Sequence, residues 1–209
     1  CLLTVMMVLT MMPGMAFAQG GDVCQIDDKG TYQSLEEALA DAEANDTIKL
    51  TESFSLTADV TVNKDVTLDL NGQTLTTGSF SVKVAGGDLV IMDGSTTQTG
   101  KITGTDYIID MNTSGGDKVT LESGTLEGTG WRDVVMINSQ DVFEMRGGTA
   151  RQTQSNASNV IYVGKGGTAN ILGGRVEGSI RGISASAAST TVVVGTIPAA
   201  GAGNQTAEE

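Results

Sequence analysis

One unit recurs through most of this chain and limits what it can fold into. An apolar residue is followed by a four-residue link containing glycine and then by a second apolar residue. It reads Leu70-Asn-Gly-Gln-Thr-Leu75, Leu121-Glu-Ser-Gly-Thr-Leu126, Met145-Arg-Gly-Gly-Thr-Ala150, Ile171-Leu-Gly-Gly-Arg-Val176 and Val192-Val-Val-Gly-Thr-Ile197. A sixth copy is split: Leu89-Val-Ile91 opens it and Ile102-Thr-Gly104 closes it after an insert, Asp93–Lys101. The opening apolar residues, 70, 91, 121, 145, 171 and 192, are 21, 30, 24, 26 and 21 residues apart. Each ends an alternating run such as Val66-Thr-Leu-Asp-Leu70 or Val119-Thr-Leu121. A further strand-like run precedes each later copy: Phe80–Val84, Tyr107–Met111, Val134–Ile137, Val160–Val163 and Ile180–Ile183. Short period-2 strands with glycine at the corners, repeated every 21–30 residues, describe one coil of a β-solenoid. Leucine-rich repeats have similar periods but need a helical half, for which the repeat has no pattern. The expected fold is all-β: a right-handed parallel β-helix of about six coils over 51–197, about 25 Å long at strand spacing.

The segment before the coils has a different period. Ser34-Leu-Glu-Glu37 is a capping box, and Leu35, Ala38, Leu39 and Ala42 fall on one helical face. Thr47-Ile-Lys-Leu50 reads as the first strand. A solenoid end exposes its apolar interior and needs a cover with a polar back, so residues 19–50 are expected to form an N-terminal cap of strand and helix.

Residues 1–18 carry no charge and end in Ala16-Phe17-Ala18. A short apolar stretch with small residues in that spacing is the mark of a secretory signal peptide. Pro13 and Gly14 interrupt it, so it is too broken to serve as a membrane span. Cleavage removes Cys1 and leaves Cys24 as a lone thiol, read as a small buried hydrophobe. Residues 198–209 read as a flexible tail that continues into further sequence.

The formal charge is −13, which argues against nucleic acid and anionic membranes as partners. There is no histidine, which excludes His-based triads, zinc sites and acid–base catalysis. No cofactor is expected; calcium is the one ion that the carboxylates favour.

The residues Tyr32-Gln-Ser-Leu-Glu-Glu-Ala38, Asp46-Thr-Ile-Lys-Leu50 and Val66-Thr-Leu-Asp-Leu-Asn-Gly-Gln-Thr-Leu75 resemble the N-terminal cap and first coils of pectin-lyase-like right-handed β-helix proteins. The likeness spans about residues 24–197 and is greatest to the large non-enzymatic, adhesin-like surface proteins of anaerobic gut bacteria. It implies a fold and an extracellular address. No position matches a lyase or hydrolase signature.

Enzymes of that fold use clustered aspartates and an arginine or lysine base. Here Asp93, Asp106, Asp110, Asp117, Asp133 and Asp141 fall mostly between strand runs, where aspartate is a good turn residue. Aligning the repeats puts Thr76, Thr103, Glu127, Arg151 and Glu177 in one exposed column, and Asn71, Met92, Glu122, Arg146 and Leu172 in another. Arg146 and Arg151 then sit beside carboxylates of adjacent coils, where they fix register rather than catalyse. Trp131 lies at a coil corner, after Gly128-Thr-Gly130. Its ordinary role there is to pack over a coil edge; the alternative is a sugar platform formed by Trp131 with Tyr107.

The function expected from these residues is a non-enzymatic, secreted or cell-surface structural or adhesin-like module. Its expected partners are surface glycans, or proteins of a host or neighbouring cell. The alternative is a polysaccharide lyase or glycoside hydrolase of the same fold. The mature protein is expected to begin at Gln19; N-terminal sequencing of secreted material tests this, and retention of residues 1–18 contradicts it.

Overall fold

The computed structural model describes residues 21–195, apart from 113, 114, 139, 157, 158, 179 and 186–189. The expectations for the signal peptide and the tail lie outside the described residues.

The chain enters through a hairpin that the repeat pattern does not announce. Strands β1 (Cys24–Ile26) and β2 (Gly30–Tyr32) pair antiparallel. Asp28, with φ of 65°, makes the turn between them. Helix α1 (Leu35–Asp41) follows, with Ser34 as its N-cap; the Ser34 hydroxyl accepts from Glu37 N–H at 3.1 Å. The Glu37 carboxylate accepts from Gln33 N–H at 3.2 Å, one residue earlier than a regular capping box requires. Leu35, Ala38, Leu39 and Ala42 are buried, as their spacing predicts. The free carbonyls at the helix end have a partner from the second turn of chain. Lys64 Nζ donates to Ala42 O at 2.6 Å and to Ala40 O at 3.0 Å, which also places a cation at the negative end of the helix.

Strands β3 (Asp46–Leu50), β4 (Phe54–Ser55) and β5 (Val60–Val62) make the first coil. Each lies in one of three sheets, and every later coil adds one parallel strand to each. The first sheet has nine strands, including the antiparallel hairpin at its start; the other two have six each. Six coils are complete, and Thr191–Val194 adds a last strand to the first sheet. This is the parallel β-solenoid that the repeat predicts.

The strand register shows which side chains stack. In the first sheet the column runs Ile48, Leu68, Ile91, Leu121, Met145 and Ile171, with Val194 in register at its end but exposed. The sequence alignment is therefore right for 91, 121, 145 and 171 and two residues off at each end, where Leu68 and Val194 replace Leu70 and Val192. A slip of two preserves the face, because strand side chains alternate. Leu70 is still buried, just past the end of its strand. The second sheet stacks Phe54, Leu75, Ile102, Leu126, Ala150 and Val176. The third stacks Val60, Val82, Ile109, Val135, Ile161 and Ile183.

Together these columns form one continuous apolar core from Cys24 to Ile171. Cys24 is fully buried, its thiol donating to Ser34 O at 3.4 Å. Burial, with the nearby charges of Glu36 and Glu37, pushes the thiol up to about 12, which suits packing as a small hydrophobe.

Leu121 is fully buried in the middle of its column. Leu121→Ala is expected to cost about 2–5 kcal/mol of stability in denaturant titrations. Leu121→Asp, which places an unpaired charge there, is expected to prevent folding. Either variant unfolding at the parent's midpoint contradicts this packing.

Candidate functional site

The corner between the second and third sheets holds the most exposed aromatic among the described residues. Thr105, Thr129 and Thr153 stack there on successive coils. Each donates its N–H and its hydroxyl to a glycine carbonyl of the coil before: Gly78, Gly104 and Gly128 respectively. Gly130 then passes directly over Thr105; a Cβ at this position would meet Thr105 O at 2.0 Å. Glycine therefore lets the fourth coil lie flat on the third at this corner, and the next residue, Trp131, emerges into solvent. Trp131 is 64% exposed, so most of the indole faces solvent. Among the described residues it makes no hydrogen bond or ring contact.

Tyr107 lies on the coil before, partly buried. The side chain stacked on it is Arg132, with its guanidinium 5.3 Å from the ring centre and Nη1 donating to the hydroxyl at 3.4 Å. Arg132 Nε also reaches Asp106 at 3.8 Å. Burial raises the Tyr107 hydroxyl above its usual range, against the opposing pull of Arg132. The back of the corner is fixed by the following coil. Gln152 Nε2 donates to Arg132 O at 2.7 Å, and buried Asp133 accepts from Asn159 N–H at 2.7 Å. The corner thus presents an indole, a phenol and a guanidinium on two adjacent coils, on a backbone held by the coils on either side. Such surfaces suit the apolar faces and hydroxyls of sugar rings.

The charged columns are built differently from the corner. Glu127 and Arg151 stand in the predicted register, Thr76–Thr103–Glu127–Arg151–Glu177. Glu127 is not exposed as expected: it is 8% exposed, beneath two cations. Lys101 Nζ donates to its Oε1 at 3.0 Å, and Arg151 Nε donates to its Oε2 at 2.7 Å. Burial pushes the carboxyl up, but these two partners outweigh it and hold Glu127 below its ordinary range. Glu144 repeats the pattern between Lys118, at 3.3 Å, and Arg146, at 2.6 Å. There too, the cations outweigh burial and lower the carboxyl. Arg146 also bridges to Glu122 on the coil before at 2.9 Å. Glu177 stands in register beside Arg151, but its carboxylate pairs with Arg175 on its own strand.

The aspartates do more than terminate turns. Asp59 accepts from Ser81 N–H at 2.9 Å, Asp65 from Asp88 N–H at 2.9 Å, and Asp88 from Lys118 N–H at 2.8 Å. Asp117 accepts from Gly86 N–H at 3.0 Å, and Asp141 from Asp117 N–H at 3.1 Å. Asp93, 2% exposed, gathers Gly72, Ser95 and Gly100 N–H groups at 2.8, 3.1 and 2.6 Å and so closes the base of the insert. Asp110 accepts locally from Asn112 N–H at 3.0 Å, and Asp106 from Tyr107 N–H at 2.8 Å. Most of these carboxylates therefore join one coil to the next. A signal for this exists in the sequence: Asp65, Asp88, Asp117 and Asp141 recur 23, 29 and 24 residues apart, which is the coil period.

Among the described residues no group of three or more Asp, Glu or Cys is arranged to hold a metal ion. Nor is any described helix long and apolar enough to cross a membrane. Comparison with family models, with curated proteins and with solved structures yields no match.

Because Glu127 is held below its ordinary range, it stabilises the fold above its unfolded value of 4.5, and this contribution is lost as pH falls through the lower folded value. Glu127→Gln is expected to cost about 1–3 kcal/mol at neutral pH, the worth of hydrogen bonds to a charged group. The cost should shrink in acid. Denaturant midpoints of parent and variant across pH check this; a cost that does not change with pH contradicts it.

Proposed function

We propose that the chain is a non-enzymatic β-helix module of a secreted or cell-surface protein, a stalk or adhesin-like element that binds glycans at the Trp131 corner. The observation that carries the reading is how its polar groups are used. Many carboxylates along the coil faces are engaged with cations or backbone N–H groups of neighbouring coils, and the cations beside Glu127 and Glu144 hold those two carboxyls below their ordinary range. An ionised, paired carboxylate is a poor general acid. Glu122, Glu127 and Glu144, with Arg146 and Arg151, are therefore assigned to holding register.

Trp131 is the large aromatic left facing solvent, and Tyr107 with Arg132 extends the surface beside it. The extracellular address rests on the apolar Ala16-Phe17-Ala18 leader pattern, and the likeness to pectin-lyase-like adhesins rests on the cap and first-coil residues. Surface glycans are the proposed partners; a protein of a host or neighbouring cell is the other class. The enzymatic alternative, a polysaccharide lyase or glycoside hydrolase, would need a base and a carboxylate acceptor, or a pair of free carboxyl groups.

A glycan array probed with the parent and with Trp131→Ala tests the reading. The parent is expected to bind, and the variant to lose at least about tenfold in affinity, consistent with about 1–3 kcal/mol for one stacking aromatic. Its thermal midpoint should change little, because the indole is mostly exposed and makes no hydrogen bond or ring contact among the described residues. Equal binding by both, or none by the parent, removes the glycan assignment.

A further inference from the structure

We propose that Asn45 is an acceptor for an N-linked sugar, transferred to its side chain as the chain is exported. Export is part of the extracellular reading given above, on which this assignment rests. Asparagine followed two residues on by a hydroxyl, with no proline between, is the acceptor pattern for such sugars and belongs on a surface loop of a secreted chain. Asn45-Asp46-Thr47 has that pattern, and Asn112, Asn156 and Asn204 open further copies of it. Asn45 heads the copy whose three residues are all described.

Asn45 stands at the apex of the turn that joins the cap to the first coil. Asp46 closes that turn twice over: its N–H donates to Glu43 O at 3.2 Å, and its carboxylate accepts from Glu43 N–H at 2.7 Å. Lys29 Nζ holds the same carboxylate at 3.0 Å. Asn45 takes a φ of 72° there, a left-handed conformation that asparagine tolerates. That conformation accounts for the backbone but gives the amide no task. Asn71, Asn138 and Asn159 each donate Nδ2 to another part of the fold, namely Leu50 O, Asn112 Oδ1 and Asp133 Oδ1. Asn45 is exposed, and its side chain makes no hydrogen bond among the described residues. Thr47 is exposed too, in register with Thr67 on the outer face of the first sheet, and its hydroxyl is equally unengaged among the described residues.

The surroundings leave room for a sugar. Asn45 borders a shallow groove of about 250 Å³ on the first sheet, lined also by Asp65, Thr67, Asp88 and Val90. Asp65 and Asp88 each commit Oδ1 to a backbone N–H of the next coil, which leaves Oδ2 for a sugar hydroxyl. In the transfer, Asn45 Nδ2 attacks the anomeric carbon of a sugar activated as a glycosyl diphosphate. The bond from that carbon to the diphosphate oxygen breaks, and the diphosphate leaves with the electron pair. One amide proton passes to a base of the transferring enzyme. Strand β3 lies between β1 and the strand Val66–Asp69, so its backbone is held on both edges once the sheet forms. The transfer therefore precedes closure of the first coil, and the fold then keeps the sugar outside.

Peptide mass spectrometry of the protein secreted by its native host tests this, with N-terminal sequencing of the same sample. The peptide holding Asn45 is expected to carry whole sugar residues. Thr47→Ser is expected to keep them, and Thr47→Val and Asn45→Gln to lose them. The two Thr47 variants leave Asn45 and its turn in place, so the comparison does not depend on glutamine tolerating the positive φ. Unmodified Asn45 in a chain that begins at Gln19 overturns the assignment and leaves the extracellular reading standing. Unmodified Asn45 in a chain that retains residues 1–18 overturns both. A sugar that survives Thr47→Val, or that is found on Thr47 in place of Asn45, overturns the assignment as well.

Discussion

Every coil of this protein lies on another coil, so the backbone groups along each edge must be satisfied by a neighbour one turn away in sequence. Within the strands the parallel ladder does this without help from side chains. At the corners the ladder is interrupted, and an unpaired buried N–H costs about 1–3 kcal/mol. The fold meets that cost with aspartate. Asp59, Asp65, Asp88, Asp117, Asp133 and Asp141 each accept an N–H from an adjacent coil. Thr105, Thr129 and Thr153 add hydroxyl bonds to glycine carbonyls. A chain with a formal charge of −13 can therefore be compact, because many of its carboxylates serve as structural acceptors.

Stacking at about 4.8 Å also brings like side chains face to face, so a column of one charge would oppose its own fold. The outer columns answer this with threonine, or with alternating sign. Thr76 and Thr103 stack without charge, and Glu127 then meets Arg151. Where acids meet at the corners, as at Asp65 and Asp88 or at Asp117 and Asp141, each carboxylate accepts a backbone N–H of an adjacent coil.

The repeat made the architecture legible before any coordinates, because glycine corners and alternating apolar residues leave few other folds. What it missed has identifiable causes. The β1–β2 hairpin is made of three-residue strands that lie outside the repeat and carry no alternation long enough to read. Leu70 and Val192 were aligned two residues from their true partners because a period of two cannot distinguish such a slip. Lys64 caps α1 from more than twenty residues away, a contact that no local pattern encodes. Glu127 was visible as a column member, but its burial depends on two long side chains folding over it. Trp131 could be named from the sequence, whereas its exposure follows from the path that Gly130 allows.

In the described coils many of the ionisable side chains are occupied in keeping coil on coil. The most direct measurement is turnover. The protein should be incubated with pectin, alginate and glycosaminoglycans, with and without calcium, and assayed for unsaturated products and new reducing ends. The account expects neither. Turnover that disappears in Arg146→Ala or Arg151→Ala, with the fold intact, would contradict it, because it would make those arginines catalytic rather than structural.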